Sequence, residues 1–257
     1  MNKYSLNIGW LYPDIMSIYG DRGNIIALSK RAEWRGIDVS VRKISLDSPE
    51  GEIRTCDFLF MGGAQDRQQK IVSDDLRKKS VVISKMVEKG VPGLYICGAF
   101  QFLGKYYKEA DGTMIAGLGI LDLYTVNPGF GKDRLIGNVI IEADADYLYD
   151  KEFSQYLVGF ENHGGRTYLG KGVKAIGKVV AGFGNNGTDK TEGVVYKNSF
   201  GSYFHGPLIP KNPHFADYLL SRSIEVKYGK KVTLKALDDT LEKKAHVFIA
   251  NRLGVKL

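Results

Sequence analysis

Short apolar runs alternating with helix-length segments constrain this chain more than any other feature. Ser5–Leu11 reads as a first strand, and Asp21–Asn24 offers turn and cap chemistry ahead of IIALSKRAEW, whose apolar spacing suits a helix. Gly36 closes that helix, and IDVSVRKI alternates in the manner of a strand. Asp57–Met61 is a buried-type strand ending in Gly62 and Gly63. One long helix is predicted from Arg67 to Glu88, stopped at Gly90; Pro92 and Gly93 then punctuate before the short strand LYI. This rhythm makes βαβ units, and βαβ units force a parallel sheet flanked by helices.

After about Gly117 the texture changes. RLIGNVIIEA, YLVGFEN, KAIGKVVAGF and GVVYKNSFGSYFHG are short strand-like runs separated by Gly and Asn turns. They predict antiparallel or mixed strands covering one side of the sheet. From Asn212 the chain turns helical again, in HFADYLLSRSIEV and DDTLEKKAHVFIANRL. With no repeat and no linker, the economical division is a domain over residues 1–210 and a helical extension over 211–257 packed on it.

Composition removes several classes of function. A hydrophobic fraction of 44% fills a core, so disorder is excluded. The net charge of +7 is scattered among acids rather than gathered into a basic arm, which argues against nucleic-acid binding. Two cysteines are too few for a disulfide framework or a four-ligand zinc site, and no metal site is expected. The start MNKYSLNIGWLYPDIM lacks the apolar run of a signal peptide, and no stretch approaches the ~20 apolar residues of a membrane span. A cytosolic protein without an integral membrane segment is the expectation.

The chemistry concentrates at Cys97. Leu94-Tyr95-Ile96 deliver the chain to the end of a strand, Gly98 permits a tight turn, and AFQFLGKYY continues at helical spacing. This is the outline of a nucleophile elbow, in which helix N–H groups favour thiolate over thiol and can bind an oxyanion, notably through Gly98. Spacing alone leaves Cys97 equally readable as a small buried hydrophobe. Cys56, with no glycine elbow, reads as packing. A cysteine nucleophile needs a base. His205 closes the run GSYFH at a probable strand end, before Gly206-Pro207 turns the chain away. His163 lies in a polar, glycine-rich turn and is a candidate for substrate contact or loop shape. His214 and His246 fall inside helical patterns and read as surface or packing residues. Gly62-Gly63 follow a strand end, where ligands bind in open α/β sheets.

GLYICGAFQFLG, with FMGGAQD before it and YFHGP after it, resembles the class I, triad-type glutamine amidotransferases, in the branch related to the cobyric acid synthase glutaminases. YGDRGNIIAL, GLGILDLYT, GFENHGGRT and YFHGPLIPKNP narrow the resemblance to the glutaminase subunits of lipid II isoglutaminyl synthases, nearly end to end. The resemblance implies a flavodoxin-like α/β fold with a mixed, mainly parallel sheet and a helical C-terminus. It implies that Cys97 attacks the side-chain amide of L-glutamine while His205 carries the proton to the leaving ammonia. Gly98 and Gly63 would donate to the oxyanion, and Gln101 would line the glutamine pocket. Arg134, in the segment DRLIG, is the candidate for holding a substrate carboxylate, with a solvated loop residue as the alternative.

The resemblance further implies a heterodimer with a Mur-ligase-like synthetase that amidates the D-isoglutamate of lipid II in peptidoglycan synthesis. ATP and magnesium would be that partner's cofactors, since this chain has no GxxxxGK[ST] pattern. The complex would work in the cytoplasm, at the inner face of the membrane. Rival readings are a glutaminase for another acceptor of the cobyrinate type, and a silent scaffold of the same fold. One departure stands out: Pro207 occupies the position, two past the histidine, where many class I enzymes carry a glutamate. The expectation is therefore that a third member comes from elsewhere, with the partner subunit supplying the missing carboxylate or otherwise completing the site.

Overall fold

The apolar runs of the first hundred residues form the middle of a six-stranded sheet. The computed structural model describes residues 4–144, 148, 150, 153 and 155–257. Its first half runs β1 (Tyr4–Leu11), α1 (Arg22–Glu33), β2 (Ile37–Ile44), α2 (Glu50–Arg54), β3 (Phe58–Met61), α3 (Asp66–Lys78), α4 (Ser80–Glu88), β4 (Gly93–Ile96) and α5 (Gly98–Leu103). β1 pairs in parallel with β2 and β3, and β3 pairs in parallel with β4. Every residue of β3 and β4 is buried, as strands covered by helices on both faces require.

The long helix expected from Arg67 to Glu88 is two helices, α3 and α4, meeting at Lys79 (φ −81°, ψ −4°). Lys79 is buried, and its ammonium pairs with Asp75, which also accepts the Tyr12 hydroxyl at 2.8 Å. A buried ammonium needs such a partner, and the pair holds the junction of the two helices in the core. The five residues of α2 carry too little periodicity to be read from sequence.

The second half builds two smaller sheets. One contains β5 (Tyr106–Lys108), β6 (Met114–Ala116), β7 (Leu123–Val126) and β10 (Arg166–Leu169), in the order β10-β7-β5-β6. The other is antiparallel and contains β8 (Leu135–Ala143), β9 (Tyr156–His163), β11 (Gly177–Ala181), β12 (Thr191–Glu192) and β15 (Phe204–His205), in the order β12-β11-β8-β9-β15. The run GVVYKNSFGSYFHG does not simply cover the central sheet but is divided. β13 (Val194–Tyr196) and β14 (Ser199–Ser202) extend the central sheet, giving β13-β14-β4-β3-β1-β2, with β14 parallel to β4.

The chain therefore leaves the central sheet at Ser202 and enters the five-stranded sheet at Phe204, with Tyr203 alone between them. Glu192, fully buried, ties this crossing: its Oε1 accepts the Ser202 hydroxyl at 2.7 Å and the Tyr203 N–H at 2.9 Å. Burial pushes the Glu192 carboxyl up to about 7, against the pull of those hydrogen bonds. Beyond a short 3-10 turn at Ile209–Lys211 come α6 (Pro213–Tyr228) and α7 (Thr240–Arg252). α6 buries Phe215, Ala216, Leu219, Leu220 and Ile224. Arg31 of α1 donates to Asp217 at 2.8 Å and also pairs with Asp239, which joins both C-terminal segments to the body of the fold. His246 bonds the Lys211 carbonyl and His214 stacks on Phe153, so both are packing residues.

Candidate active site

Four neighbouring strands of the central sheet, β14, β4, β3 and β1, end on one edge, and each delivers a polar or reactive group there. β4 delivers Cys97, whose backbone sits at φ 51° and ψ −106°. A side chain is rarely tolerated in that region, and the strain costs about 1–3 kcal/mol. The elbow is held by Cys97 N–H donating to Ser202 O at 2.8 Å and by Gln101 N–H donating to Cys97 O at 3.0 Å. The strained conformation lifts the thiol out of the strand while its backbone stays pinned, which packing alone would not require.

His205, at the end of β15, is completely buried beside it. A Cβ on Gly63 would lie 2.9 Å from His205 Cε1 and 3.1 Å from Cys97 Cβ, so imidazole and thiol close on the same bare backbone. His205 Nδ1–H donates to Asp21 Oδ1 at 3.1 Å. That leaves Nε2 as the ring nitrogen for Cys97, and no other protein group hydrogen-bonds it. The Cys97 sulfur acts on this imidazole both as a hydrogen-bond partner and through its charge. Burial alone pushes the imidazole down, but Asp21 and the Cys97 sulfur outweigh it and hold His205 at about 10. At neutral pH the ring is an imidazolium facing the sulfur. Tyr19 stands edge-on to it with ring centroids 4.9 Å apart.

Asp21 is the residue that sequence reading missed. It was assigned to capping α1, yet its side chain makes no cap hydrogen bond. One carboxylate oxygen takes His205, and the other accepts Gly63 N–H at 2.6 Å. A carboxylate beside the imidazole is thus present within this chain. Pro207 has a different task at the usual glutamate position. Its ring fills the space above Gly23, where a Cβ would sit 2.4 Å from Pro207 Cγ, and it approaches Gly20 as well. Asn24 Oδ1 accepts Ile209 N–H at 2.9 Å. The segment after His205 is therefore seated on the glycines that flank Asp21.

The expectation for Gly63 also needs correction. Its N–H is committed to Asp21 and is not free to meet an oxyanion. The next amide, Ala64 N–H, has no hydrogen-bond partner among the described residues. It lies 3.3 Å from the Cβ position of Gly98, the first residue of α5, so Ala64 and Gly98 present adjacent backbones.

A cavity of about 490 Å³ opens over Cys97 and is lined by Gln101, Arg134, His163, Asp66, Tyr107 and Asn127, among others. Gln101 is held on both sides: its Oε1 accepts Gln69 at 3.1 Å and its Nε2 donates to the Tyr203 hydroxyl at 3.1 Å. Arg134 is steadied by Asn162, donating to its side chain and its carbonyl at 2.9 Å each. That leaves one amino group of the guanidinium without a hydrogen bond among the described residues. His163 stacks on Tyr203 with ring centroids 3.6 Å apart and donates Nδ1–H to Gly165 O at 2.7 Å. Burial pushes its imidazole down, so it is a neutral wall. Cys56 is buried against Glu52 O, and burial pushes its thiol up to about 11. No group of three or more His, Cys, Asp or Glu among the described residues is placed to hold a metal ion. None of their helices is long and apolar enough to cross a membrane.

A thiol on a strained elbow, an imidazolium beside it and a buried carboxylate behind define a site able to cleave an acyl bond through a thioester. The profile of the CobB/CobQ-like glutamine amidotransferase domain matches residues 7–213, and the chain belongs to that family. Among its relatives, the GatD subunit of the glutamine-hydrolyzing lipid II isoglutaminyl synthase of Staphylococcus aureus (strain N315) is 42% identical over 250 residues, covering 97% of this chain and 96% of the relative. The GatD subunit of Streptococcus pneumoniae (strain ATCC BAA-255 / R6) is 42% identical over 238 residues, covering 93% and 88%. A probable cobyric acid synthase of Methanococcus maripaludis (strain C5) is 31% identical over 211 residues, covering 77% of this chain but 40% of the relative. The fold is shared with a crystal structure of a glutamine amidotransferase (TM-score 0.53, 16% identity, 85% and 97% coverage). It is also shared with a glutamine amidotransferase of Thermotoga maritima (TM-score 0.51, 16% identity, 96% and 94% coverage).

Proposed function

We propose that this chain is the glutamine-hydrolysing subunit of a lipid II isoglutaminyl synthase, and that Cys97, His205 and Asp21 carry the hydrolysis. The row Asp21–His205–Cys97, with Cys97 reaching the cavity and the other two buried behind it, is the observation that carries the reading. Cys97 Sγ attacks the side-chain carbonyl carbon of L-glutamine, and charge moves onto the oxygen, where Gly98 N–H and Ala64 N–H receive it. The His205 imidazolium gives its Nε2 proton to the amide nitrogen, the C–N bond breaks, and ammonia leaves a γ-glutamyl thioester. The neutral imidazole then takes a proton from water as the water attacks the thioester. Glutamate departs and the starting pair returns. Asp21 keeps Nδ1 protonated, so Nε2 is always the nitrogen that moves the proton.

Arg134 is the group for the substrate α-carboxylate, and Gln101 shapes the pocket wall. No cofactor enters these steps. A Mur-ligase-like synthetase subunit is the expected partner: with ATP and magnesium it would activate the α-carboxylate of D-isoglutamate in lipid II, and ammonia from this chain would make D-isoglutamine. Lipid II is reached through that partner, at the cytoplasmic face of the membrane. Identity near 42% along nearly the whole of the GatD relatives favours this acceptor over a cobyrinate, for which the likeness is lower and covers 40% of the relative. A silent scaffold would have no use for a strained cysteine beside a buried imidazolium.

The test is Cys97→Ala in the complex with the synthetase. Glutamine-dependent amidation should vanish while free ammonia still supports the reaction. Unchanged glutamine use would remove Cys97 from the mechanism. Amidation of a cobyrinate in place of lipid II would overturn the acceptor.

A further inference from the structure

L-Glutamine arrives as a zwitterion, so its site has to meet an ammonium as well as a carboxylate. Its α-ammonium sits on the α-carbon, two methylenes from the reacting carbonyl, close enough to contact the same cavity wall. The cavity carries three charged side chains, Asp66, Arg67 and Arg134. Asp66, the first residue of α3, makes no ion pair among the described residues. Its Oδ1 accepts the Tyr107 hydroxyl at 3.3 Å, and its Oδ2 has no such bond. Tyr107 is itself buried, lines the same cavity and feels the charge of the Cys97 sulfur as well as that of Asp66. Tyr107, Asp66 and Cys97 therefore share one cavity wall, with the hydroxyl of the first turned to the carboxylate of the second. Arg134, steadied by Asn162, is the cation of the same cavity.

We propose that Asp66, oriented by Tyr107, binds the α-ammonium of the substrate and makes the site selective for a γ-amide bearing a free α-amino group. The inference rests on the glutaminase reading and adds to it the residue that recognises the amino-acid end of the substrate. A carboxylate at the first turn of α3 also favours the helix dipole, but that role would stabilise the fold without telling one substrate from another.

The experiment compares L-glutamine with glutaramic acid, the same amide lacking the α-amino group, using the chain together with its synthetase partner. Wild type should prefer L-glutamine by about 10- to 100-fold in kcat/KM, the range of one charge-assisted hydrogen bond. Asp66→Asn should raise KM for L-glutamine by that factor, leave kcat for glutaramic acid unchanged, and bring the two substrates to within about threefold of one another. Tyr107→Phe should give a smaller change in the same direction. An Asp66→Asn variant that still discriminates overturns the inference, as does one that loses both substrates equally. A wild type that hydrolyses neither compound overturns the glutaminase site itself. Titration of L-glutamine into Cys97→Ala, with and without Asp66→Asn, reads the same preference as binding without turnover.

Discussion

His205 Nδ1 lies 3.1 Å from Asp21 Oδ1, and the second oxygen of that carboxylate accepts Gly63 N–H at 2.6 Å. One buried carboxylate thus orients the imidazole and fixes the loop that follows β3. An aspartate between β1 and α1 thus stands beside the histidine, where many class I enzymes have a glutamate two residues past it. The position left vacant is used for packing, with Pro207 set against Gly20 and Gly23 on either side of the aspartate.

Asp21→Asn keeps the shape of the side chain but removes the charge that holds the imidazolium. Glutamine-dependent turnover should fall by roughly 10²-fold or more, while ammonia-dependent amidation in the complex stays intact.

Gly63→Ala would push a methyl group to 2.9 Å from His205 Cε1 and 3.1 Å from Cys97 Cβ. Both neighbours belong to the proposed reacting pair, so the variant should lose most of its kcat. The KM for glutamine should change little, because Arg134 and Asp66 are untouched. Steady-state kinetics beside a thermal melt would separate this from simple unfolding.

Arg134→Ala should raise KM for glutamine by about tenfold or more with a smaller change in kcat, since the lost contact is to a part of the substrate that does not react. Asn162→Ala should show a weaker version of the same effect, because Arg134 would lose the acceptor at 2.9 Å that steadies it. Melting temperatures of both variants should stay close to wild type.

Two buried groups make stability depend on pH with the same sign. Glu192 is raised from 4.5 to about 7 by burial, and His205 is raised from 6.5 to about 10 by Asp21 and Cys97 against the opposing pull of burial. In each case the folded state holds a proton that the unfolded chain releases first, so the contribution is complete below the unfolded value and is lost as pH rises through the folded one. The stability difference between wild type and Glu192→Gln should shift against wild type from about pH 4.5 to 7 and then level off. The difference from Asp21→Asn should be largest near pH 6 and shrink toward pH 10. Urea unfolding at several pH values reads both.

Cys97 was legible because a strand, a glycine and a helix are contiguous in sequence, and His205 because its strand end and turn are equally local. The parallel order of β1, β2, β3 and β4 followed from the same rhythm. Asp21 was not legible as a site residue. An aspartate ahead of a helix has an ordinary explanation as a cap, and its true partners, His205 and Gly63, are brought to it only by the tertiary fold. The commitment of Gly63 N–H was hidden for the same reason. The break at Lys79 was missed because it is a one-residue interruption at which the apolar spacing does not change.

Asp21 and His205 stand 184 positions apart in the chain. At about 5–20 residues per second, a ribosome would deliver the carboxylate roughly 10–40 s before the imidazole. Cys97 emerges in between, without its base. A growing or truncated chain therefore carries the thiol without its base, and the pair is complete only after β15 has closed over the loop that holds Asp21.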